Sequence, residues 1–381
     1  MIFSLYLHIP YCLTKCPYCD FNAYAATAWP EERYVDALGA ELRHYLTQPP
    51  WQGQTIETIY FGGGTPSLFA PASVERVLTL VKSLCPLASR PEISLEVDPA
   101  SASPARLTGY RAIGVNRLSL GTQSFQPALL KTLGRLHTAE DAARTIMWAR
   151  ASGFTNLSLD LIFAVPGQTL EMLASDVTQA LAYIPEHLST YNLTYEENTP
   201  FFAMRQKGYL QPIDEETEIE MYRLVQEHSA DAGYVHYEVS SFSRPGFPSQ
   251  HNANYWNGRS YLGLGAGAHS FVNQPGWGQR WSNERNPRRY MEKALASGSA
   301  RSFAEVLTRS QAMGEFVFLG LRQLKGLEPT HFTARFGTEF HQTFPQAAAL
   351  FDEGLLKTEG ERISLTPQGL LLADTIFATF F

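Results

Sequence analysis

The sequence has few cysteines, no long apolar run and no excess of positive charge. Four cysteines in 381 residues, with no secretion signal, indicate a reduced intracellular protein rather than a disulfide scaffold. No stretch approaches the roughly 20 apolar residues of a membrane helix, and Pro10 ends the first apolar run too early for a signal peptide. A net charge of −7 provides no basic field for nucleic acid. We therefore expect a cytoplasmic protein that binds no nucleic acid; a homodimer and peripheral membrane contact stay open.

Three of the cysteines stand close together near the start, at Cys12, Cys16 and Cys19. They follow residues 4–9, whose apolar composition predicts a short strand. Thiolates are the ligands of iron–sulfur clusters, and three of them can hold three corners of a 4Fe–4S cluster while the fourth iron stays open. A ligand with an amine and a carboxylate can chelate such an iron. The alternative is structural zinc, which needs four ligands; His8 is the nearby candidate, because Cys85 is distant in sequence.

Strand patterns alternate with helix patterns through the first half of the chain. We predict strands at residues 4–9, 55–61, 92–97, 115–120, 156–163 and 188–193, and helices at 31–46, 71–83, 104–113, 139–151 and 170–183. Such alternation indicates an α/β fold with a parallel sheet. Six strand–helix units predict a partial (β/α)6 TIM-type barrel over residues 1–235.

Polar and glycine-rich segments follow several of the predicted strands. In barrels of this type the loops after the strands build the functional site. Gly63 and Gly64 lack side chains, so a ligand can approach their backbone amides. Glu96 and Asp160 end two other strands and are candidates to bind an amine or ribose hydroxyls.

Four motifs together resemble the radical S-adenosylmethionine (SAM) superfamily, in its oxygen-independent coproporphyrinogen III oxidase group. They are YLHIPYCLTKCPYC at residues 6–19, GGGTPS at 62–67, LSLGTQSF at 118–125 and DLIFAVPGQ at 160–168. The resemblance implies a 4Fe–4S cluster on Cys12, Cys16 and Cys19, with SAM on the open iron. It also implies SAM contacts from Tyr6, Tyr18, Gly63, Gly64, Thr65, Glu96, Gln123, Arg135 and Asp160.

Two departures from the oxidase pattern favour a different branch of this group. The oxidase has C-x3-C-x2-C-x-C, whereas Phe21 stands at the fourth cysteine position, and the oxidase carries an extension before the first strand. The shortened motif is similar to that of the HemW-type haem chaperones, which deliver haem to respiratory and other haem proteins. The resemblance therefore implies haem as cargo. The alternative is a radical SAM enzyme acting on a tetrapyrrole, either an anaerobic coproporphyrinogen III dehydrogenase or a haem-degrading methyltransferase. The sequence leaves catalysis open, and Phe21 favours a non-enzymatic role.

A second segment, HNANYW at residues 251–256, resembles the H-N-x-x-Y-W element associated with haem binding in that family. A neutral imidazole from His251 is a suitable axial ligand for haem iron, and Tyr255 and Trp256 could stack on the macrocycle. The alternative is that His251 forms local hydrogen bonds and the aromatic residues pack. His269 is a weaker candidate with a structural role as its simpler interpretation.

Residues 263–268 match the G-x-G-x-x-G/A pattern of dinucleotide sites, but the context fails. The preceding segment is a poor strand, and Pro275 and Gly276 interrupt any following helix, whereas the motif needs strand, turn and helix in order. We interpret these glycines as sites of close backbone packing. Nearby, Arg280, Arg285, Arg288 and Arg289 predict a solvated or anion-facing loop.

The end of the chain predicts a separate small domain. A helix is expected over residues 303–324, shorter helices over 330–336 and 345–353, a hairpin turning at 359–360, and a final helix from 366. Helices with a small hairpin suggest a winged-helix-like α+β domain at 301–381. Residues 236–300 then form an extension between this domain and the barrel.

Overall fold

A computed structural model describes residues 2–381. Within them, twelve of the sixteen strands form one large mixed sheet, and the other four form two separate two-stranded sheets. The strands are β1 (Ile2–Ile9), β2 (Tyr11–Cys12), β3 (Tyr24–Ala25), β4 (Thr55–Gly63), β5 (Leu87–Val97), β6 (Arg117–Gln123), β7 (Leu157–Phe163), β8 (His187–Asn192), β9 (Val235–Glu238), β10 (Ser241–Ser243), β11 (Tyr261–Leu264), β12 (His269–Val272), β13 (Gln279–Asn283), β14 (Arg301–Val306), β15 (Leu356–Glu359) and β16 (Arg362–Leu365).

The helices cover the sheet and form much of the C-terminal region. They are α1 (Glu31–Leu46), α2 (Pro71–Leu84), α3 (Pro104–Ala112), α4 (Pro127–Thr132), α5 (Ala139–Ala151), α6 (Leu170–Ala182), α7 (Pro200–Gln206), α8 (Glu215–Asp231), α9 (Gln250–Trp256), α10 (Pro287–Ser297), α11 (Arg309–Arg322), α12 (Pro329–Phe336), α13 (Phe340–Thr343), α14 (Ala347–Asp352), α15 (Pro367–Leu371) and α16 (Ala373–Ala378).

The centre of the large sheet is parallel, as the alternating pattern predicts. Strands β1, β4, β5, β6, β7 and β8 are successive parallel neighbours, and they match the six predicted strands. Each is linked to the next by at least one helix, which is the connection that parallel pairing requires. The sheet order runs from β14 at one edge to β9 at the other. The α/β fold and the partial barrel are therefore confirmed.

A seventh parallel strand, β11, pairs with the other side of β1 and was missed by the sequence interpretation. The chain enters β11 from Gly258 and Arg259, which weaken a strand pattern. The glycine motif begins inside β11, but the chain then turns into the antiparallel strand β12 and not into a helix. The predicted close packing is present: a Cβ on Gly265 would collide with the His8 carbonyl oxygen and the Tyr34 hydroxyl.

The predicted helix over residues 303–324 is wrong in its first part. Residues 301–306 form β14, which pairs with β13 at the edge of the large sheet. Phe303 and Val306 are 51% and 69% exposed there, so they supply no buried helix face. The helix α11 begins only after Thr308, whose hydroxyl accepts from the Gln311 amide while the Gln311 side chain accepts from the Thr308 amide. This capping box fixes the helix start, and the sheet therefore crosses the predicted domain boundary at 301.

A second hydrophobic core begins at Leu307 and runs to Phe380. Helices α11 to α14 precede the hairpin of β15 and β16, and Thr366 caps α15. The predicted order of helices, hairpin and final helix is present.

A buried carboxylate fixes the turn between β11 and β12. Glu41 accepts hydrogen bonds from the Gly265 amide (3.0 Å), the Tyr290 hydroxyl (2.8 Å) and the Asn283 side-chain amide (2.6 Å). Burial raises the pKa of Glu41 to about 7, against the effect of these donors. The three donors lie after β11, on β13 and on α10. Glu41 therefore connects helix α1 to the strands and the helix that follow residue 260.

We predict that Glu41→Ala lowers the free energy of unfolding by about 3 kcal/mol or more, because several buried donors lose their acceptor. Glu32→Ala on the same helix is the matched control. Glu32 is exposed and pairs with Arg76 at the surface, so its loss should cost less than about 1 kcal/mol. Denaturant unfolding measures both; equal destabilisation would contradict a structural role for Glu41.

Candidate functional site

The three clustered cysteines open into one cavity of about 550 Å³ at the carboxyl ends of the parallel strands. This volume lies within the range of cofactor sites. The cavity brings together Cys12, Cys16 and Cys19 with eight of the nine residues expected to contact SAM: Tyr18, Gly63, Gly64, Thr65, Glu96, Gln123, Arg135 and Asp160.

The chemistry of the loop suits a cluster. The three thiols are free and partly buried. Thr65 Oγ1 lies 3.4 Å from the Cys12 Sγ, and Arg135 Nη1 lies 3.6 Å from the Cys16 Sγ. Burial raises the pKa of Cys12 to about 11 and also raises the pKa of Cys19. A bound iron–sulfur cluster would favour the thiolate forms of these side chains, because its positive iron ions oppose the effect of burial.

The glycine run after β4 allows the cysteine loop to lie against the sheet. A Cβ on Gly64 would stand 2.7 Å from the Tyr11 carbonyl oxygen and 3.0 Å from the Cys12 Sγ. Gly63 has a φ of 116°, which favours glycine, and a Cβ there would meet the His8 ring. Larger residues would thus push the cluster ligands away from the strand ends.

Glu96 lies beside this glycine run inside the barrel. Its carboxylate accepts from the Tyr60 hydroxyl at 2.9 Å and from the Gly63 amide at 3.1 Å. Burial, opposed by the Tyr60 hydrogen bond and increased by repulsion from Asp160, raises the pKa of Glu96 to about 7. A cationic ligand beside it would favour the ionised form.

Asp160 lies across the strand ends from Glu96. It accepts from Ser119 Oγ at 2.9 Å and from Ser158 Oγ at 3.1 Å. Burial raises its pKa, although these hydroxyls oppose the shift. The two carboxylates share the barrel interior with the buried Arg117, whose positive charge lowers the pKa of both.

Arg135 provides the opposing charge near the cluster loop. Its guanidinium pairs with Asp98 at 2.7 Å and also donates to the Gly121 carbonyl oxygen at 3.1 Å. Its Nε is buried and has no hydrogen-bond partner among residues 2–381. Gln123, on the same side, has a φ of 64°, an uncommon conformation for a residue with a side chain.

Among the residues of this cavity that sequence reasoning missed are Arg117 and Tyr191. Strand periodicity contains the signal for them. Successive side chains alternate between faces, so counting back by two from Ser119 on β6 leads to Arg117. Tyr191 follows in the same way from Ser189 on β8.

Tyr6 lies outside this cavity and lines a larger neighbouring one of about 880 Å³. Its hydroxyl bonds to His8 Nδ1 at 2.9 Å. The two cavities share three lining residues, Phe21, Gly63 and Glu96.

His251, the haem ligand expected from the H-N-x-x-Y-W element, is 1% exposed. Its Nδ1 lies 2.7 Å from the Thr58 hydroxyl and its Nε2 lies 2.8 Å from the Tyr255 hydroxyl. Burial lowers the pKa of His251 to about 3. Both ring nitrogens are therefore engaged, and ligation of iron would require the Tyr255 hydroxyl to move.

No group of three or more His, Cys, Asp or Glu side chains within residues 2–381 converges to hold a single metal ion. The ligands of a 4Fe–4S cluster bind separate irons, so they are not expected to converge on one point.

Comparison with known proteins agrees with this architecture. Residues 6–180 match the Radical SAM superfamily model, and residues 307–372 match the HemN C-terminal domain. The haem chaperone HemW of Bacillus subtilis is 34% identical over 99% of this chain and 98% of its own length, and HemW of Escherichia coli is 34% identical over 99% and 97%. The chain belongs to the HemW family.

The solved structure of E. coli coproporphyrinogen III oxidase (HemN), a radical SAM enzyme, has a TM-score of 0.85 and 25% identity, covering 99% of this chain and 89% of its own. Membership of the HemW family within the radical SAM superfamily carries a 4Fe–4S cluster and SAM as cofactors. The three thiols and the glycine run fit these groups. Among residues 2–381, no helix combines the length and hydropathy needed to traverse a bilayer.

We predict that Gly64→Ala loses most of the iron–sulfur absorbance after anaerobic reconstitution, because the added methyl displaces Cys12. Overpacking of this kind costs about 1–3 kcal/mol. Gly39→Ala is the control, since its nearest contacts are flexible side-chain atoms at 3.3 and 3.4 Å. Normal iron incorporation by Gly64→Ala would contradict the docking of the cysteine loop on this glycine.

Proposed function

We propose that this protein is a haem chaperone that binds haem, holds a SAM-coordinated 4Fe–4S cluster and delivers haem to acceptor proteins. The observation that carries this proposal is the combination of full-length HemW kinship with Phe21 at the fourth cysteine position. Phe21 is 61% exposed at the wall shared by the two cavities. The difference from the four-cysteine motif of the oxidase therefore lies in the cavity walls. The proposed acceptors are haem proteins such as respiratory enzymes. They receive haem in the cytoplasm or at the cytoplasmic membrane.

In this proposal Cys12, Cys16 and Cys19 hold the cluster, and the open iron and the cavity bind SAM. Given an electron from an external reductant, the bound pair would supply reductive cleavage of a sulfonium carbon–sulfur bond. The protein contributes position and charge. The Gly63 and Gly64 backbone allows close approach, Glu96 and Asp160 face cationic and hydroxyl groups, and the other expected SAM contacts complete the wall. Tyr6 lines the neighbouring cavity, where its hydroxyl bonds to His8.

A second candidate is a radical SAM enzyme that acts on a tetrapyrrole. Its support is the TM-score of 0.85 to coproporphyrinogen III oxidase and the intact SAM cavity. A chaperone releases the bound tetrapyrrole chemically unchanged, whereas an enzyme releases a modified product.

Haem binding and turnover separate these candidates. We expect the reconstituted protein to bind about one haem per chain, to pass it to a haem-free acceptor, and to form no porphyrin product from coproporphyrinogen III with reductant and SAM. Ultraviolet–visible titration and product chromatography measure these outcomes. Conversion of coproporphyrinogen III, or failure to bind haem, would contradict the chaperone proposal.

The raised pKa of Glu96 predicts a pH dependence of SAM binding. SAM is cationic, so it binds more tightly when Glu96 is ionised. Affinity should therefore increase as the pH rises towards about 7 and level off above it, by up to about tenfold per pH unit below the pKa.

The Glu96→Gln variant should bind SAM more weakly and lose this dependence. Calorimetric titration of the cluster-loaded protein between about pH 6 and about pH 8 checks both. Retention of the full pH dependence by Glu96→Gln would show that another group controls it.

A further inference from the structure

The larger cavity is a second built site beside the cluster cavity. At about 880 Å³ it lies in the upper part of the range for ligand and cofactor sites. It is bounded by β1, β11, β12 and β13, by α9, and by α11 of the C-terminal region. Eight tyrosine, tryptophan and phenylalanine side chains line it: Tyr6, Phe21, Tyr255, Trp256, Tyr261, Phe271, Phe318 and Phe381. Such a wall suits a large planar apolar ligand.

Strand alternation aims a histidine into this cavity. On β12, His269 and Phe271 line it, whereas Ser270 and Val272 are buried on the other face. The partner of Phe271 on β13 is Arg280, which also lines the cavity. The pairing of β12 with β13 therefore fixes the backbone position of His269 and the side of the sheet on which its ring lies.

The imidazole of His269 is available for a ligand. It is exposed in the cavity and forms no side-chain hydrogen bond with any residue the structure describes. His8, the other histidine lining the cavity, has both ring nitrogens engaged, by the Tyr6 hydroxyl at 2.9 Å and the Asn22 carbonyl oxygen at 3.0 Å. Partial burial and the charges of Arg285 and Arg280 lower the pKa of His269, which favours the neutral ring that binds metals.

Positive charge lies beside the same imidazole. Arg280 is paired with Glu305 and Glu315. Arg285 also lines the cavity, but within residues 2–381 it makes no ion pair and donates only a long hydrogen bond of 3.5 Å to Asn22. A guanidinium without a carboxylate partner is suited to bind a carboxylate of a ligand.

We propose that haem occupies this cavity, with His269 as an axial ligand of the iron and Arg285 paired with a propionate. This inference rests on the haem binding proposed above and assigns its site. It moves the iron ligand from the buried His251 to a residue outside the H-N-x-x-Y-W element. Tyr255 and Trp256 of that element then contribute the aromatic wall. Because the cavities share Phe21, Gly63 and Glu96, the haem would lie next to the SAM site.

The test is an anaerobic titration of the cluster-loaded protein with haemin, followed by absorbance and resonance Raman spectroscopy. His269→Ala should weaken binding about tenfold or more and remove the imidazole-ligand signature, which added free imidazole should restore. Arg285→Ala should weaken binding several-fold while the iron keeps its imidazole ligand. His341→Ala and Arg288→Ala are the controls, since both residues lie outside the cavity, and they should behave as wild type.

The outcomes separate the two proposals. Absence of haem binding in the wild type overturns the chaperone proposal and this site with it. Wild-type binding with an unchanged spectrum in His269→Ala overturns the site alone. Loss of the imidazole signature in His251→Ala, with His269→Ala unaffected, overturns it in favour of His251. Failure of free imidazole to restore the spectrum of His269→Ala also overturns it.

Discussion

The close contact between the cysteine loop and the end of β4 is the constraint on which the whole site depends. Strands β1 and β4 run side by side, with Ile9 opposite Gly63. Beyond this pair the Gly64 amide donates to the Ile9 carbonyl oxygen at 2.7 Å, and the Thr65 amide donates to the Tyr11 carbonyl oxygen at 2.8 Å. These bonds extend the sheet register into the loop and place Cys12 beside Thr65. The thiols therefore reach the barrel opening because backbone pairing continues past the strands.

Barrel topology explains how residues from distant segments face one cavity. The strands are parallel, so their carboxyl ends lie at one rim. Glu96 and Ser119 are direct neighbours across β5 and β6, and Asp160 is opposite Ser189 across β7 and β8. Charge is balanced inside this rim by Arg135 and Asp98. Glu96 and Asp160 lie with the buried Arg117 on the strand side of the cavity, and the three thiols line it from the cysteine loop.

Much of this arrangement could be predicted from the sequence, and the failures have physical reasons. The six parallel strands were predictable because short apolar runs alternate regularly with longer segments of helical periodicity. Strand β11 was missed because Gly258, Arg259 and Gly263 suppress strand propensity, although pairing with β1 overrides it. Strand β14 was taken for helix because Phe303 and Val306 suggested an apolar face, whereas both are exposed at a sheet edge. The environment of His251 depends on Thr58 and Tyr255, and no local pattern reveals such a tertiary contact.

The central claim is that three thiolates leave one iron of the cluster open for SAM. Mössbauer spectroscopy of the iron-57-reconstituted protein, with and without SAM, tests it most directly. The account predicts that SAM changes the signal of one iron of the cluster and leaves the others unchanged, because three irons are already held by Cys12, Cys16 and Cys19. A spectrum unaffected by SAM, or a reconstituted protein that holds zinc and no iron–sulfur cluster, would contradict it.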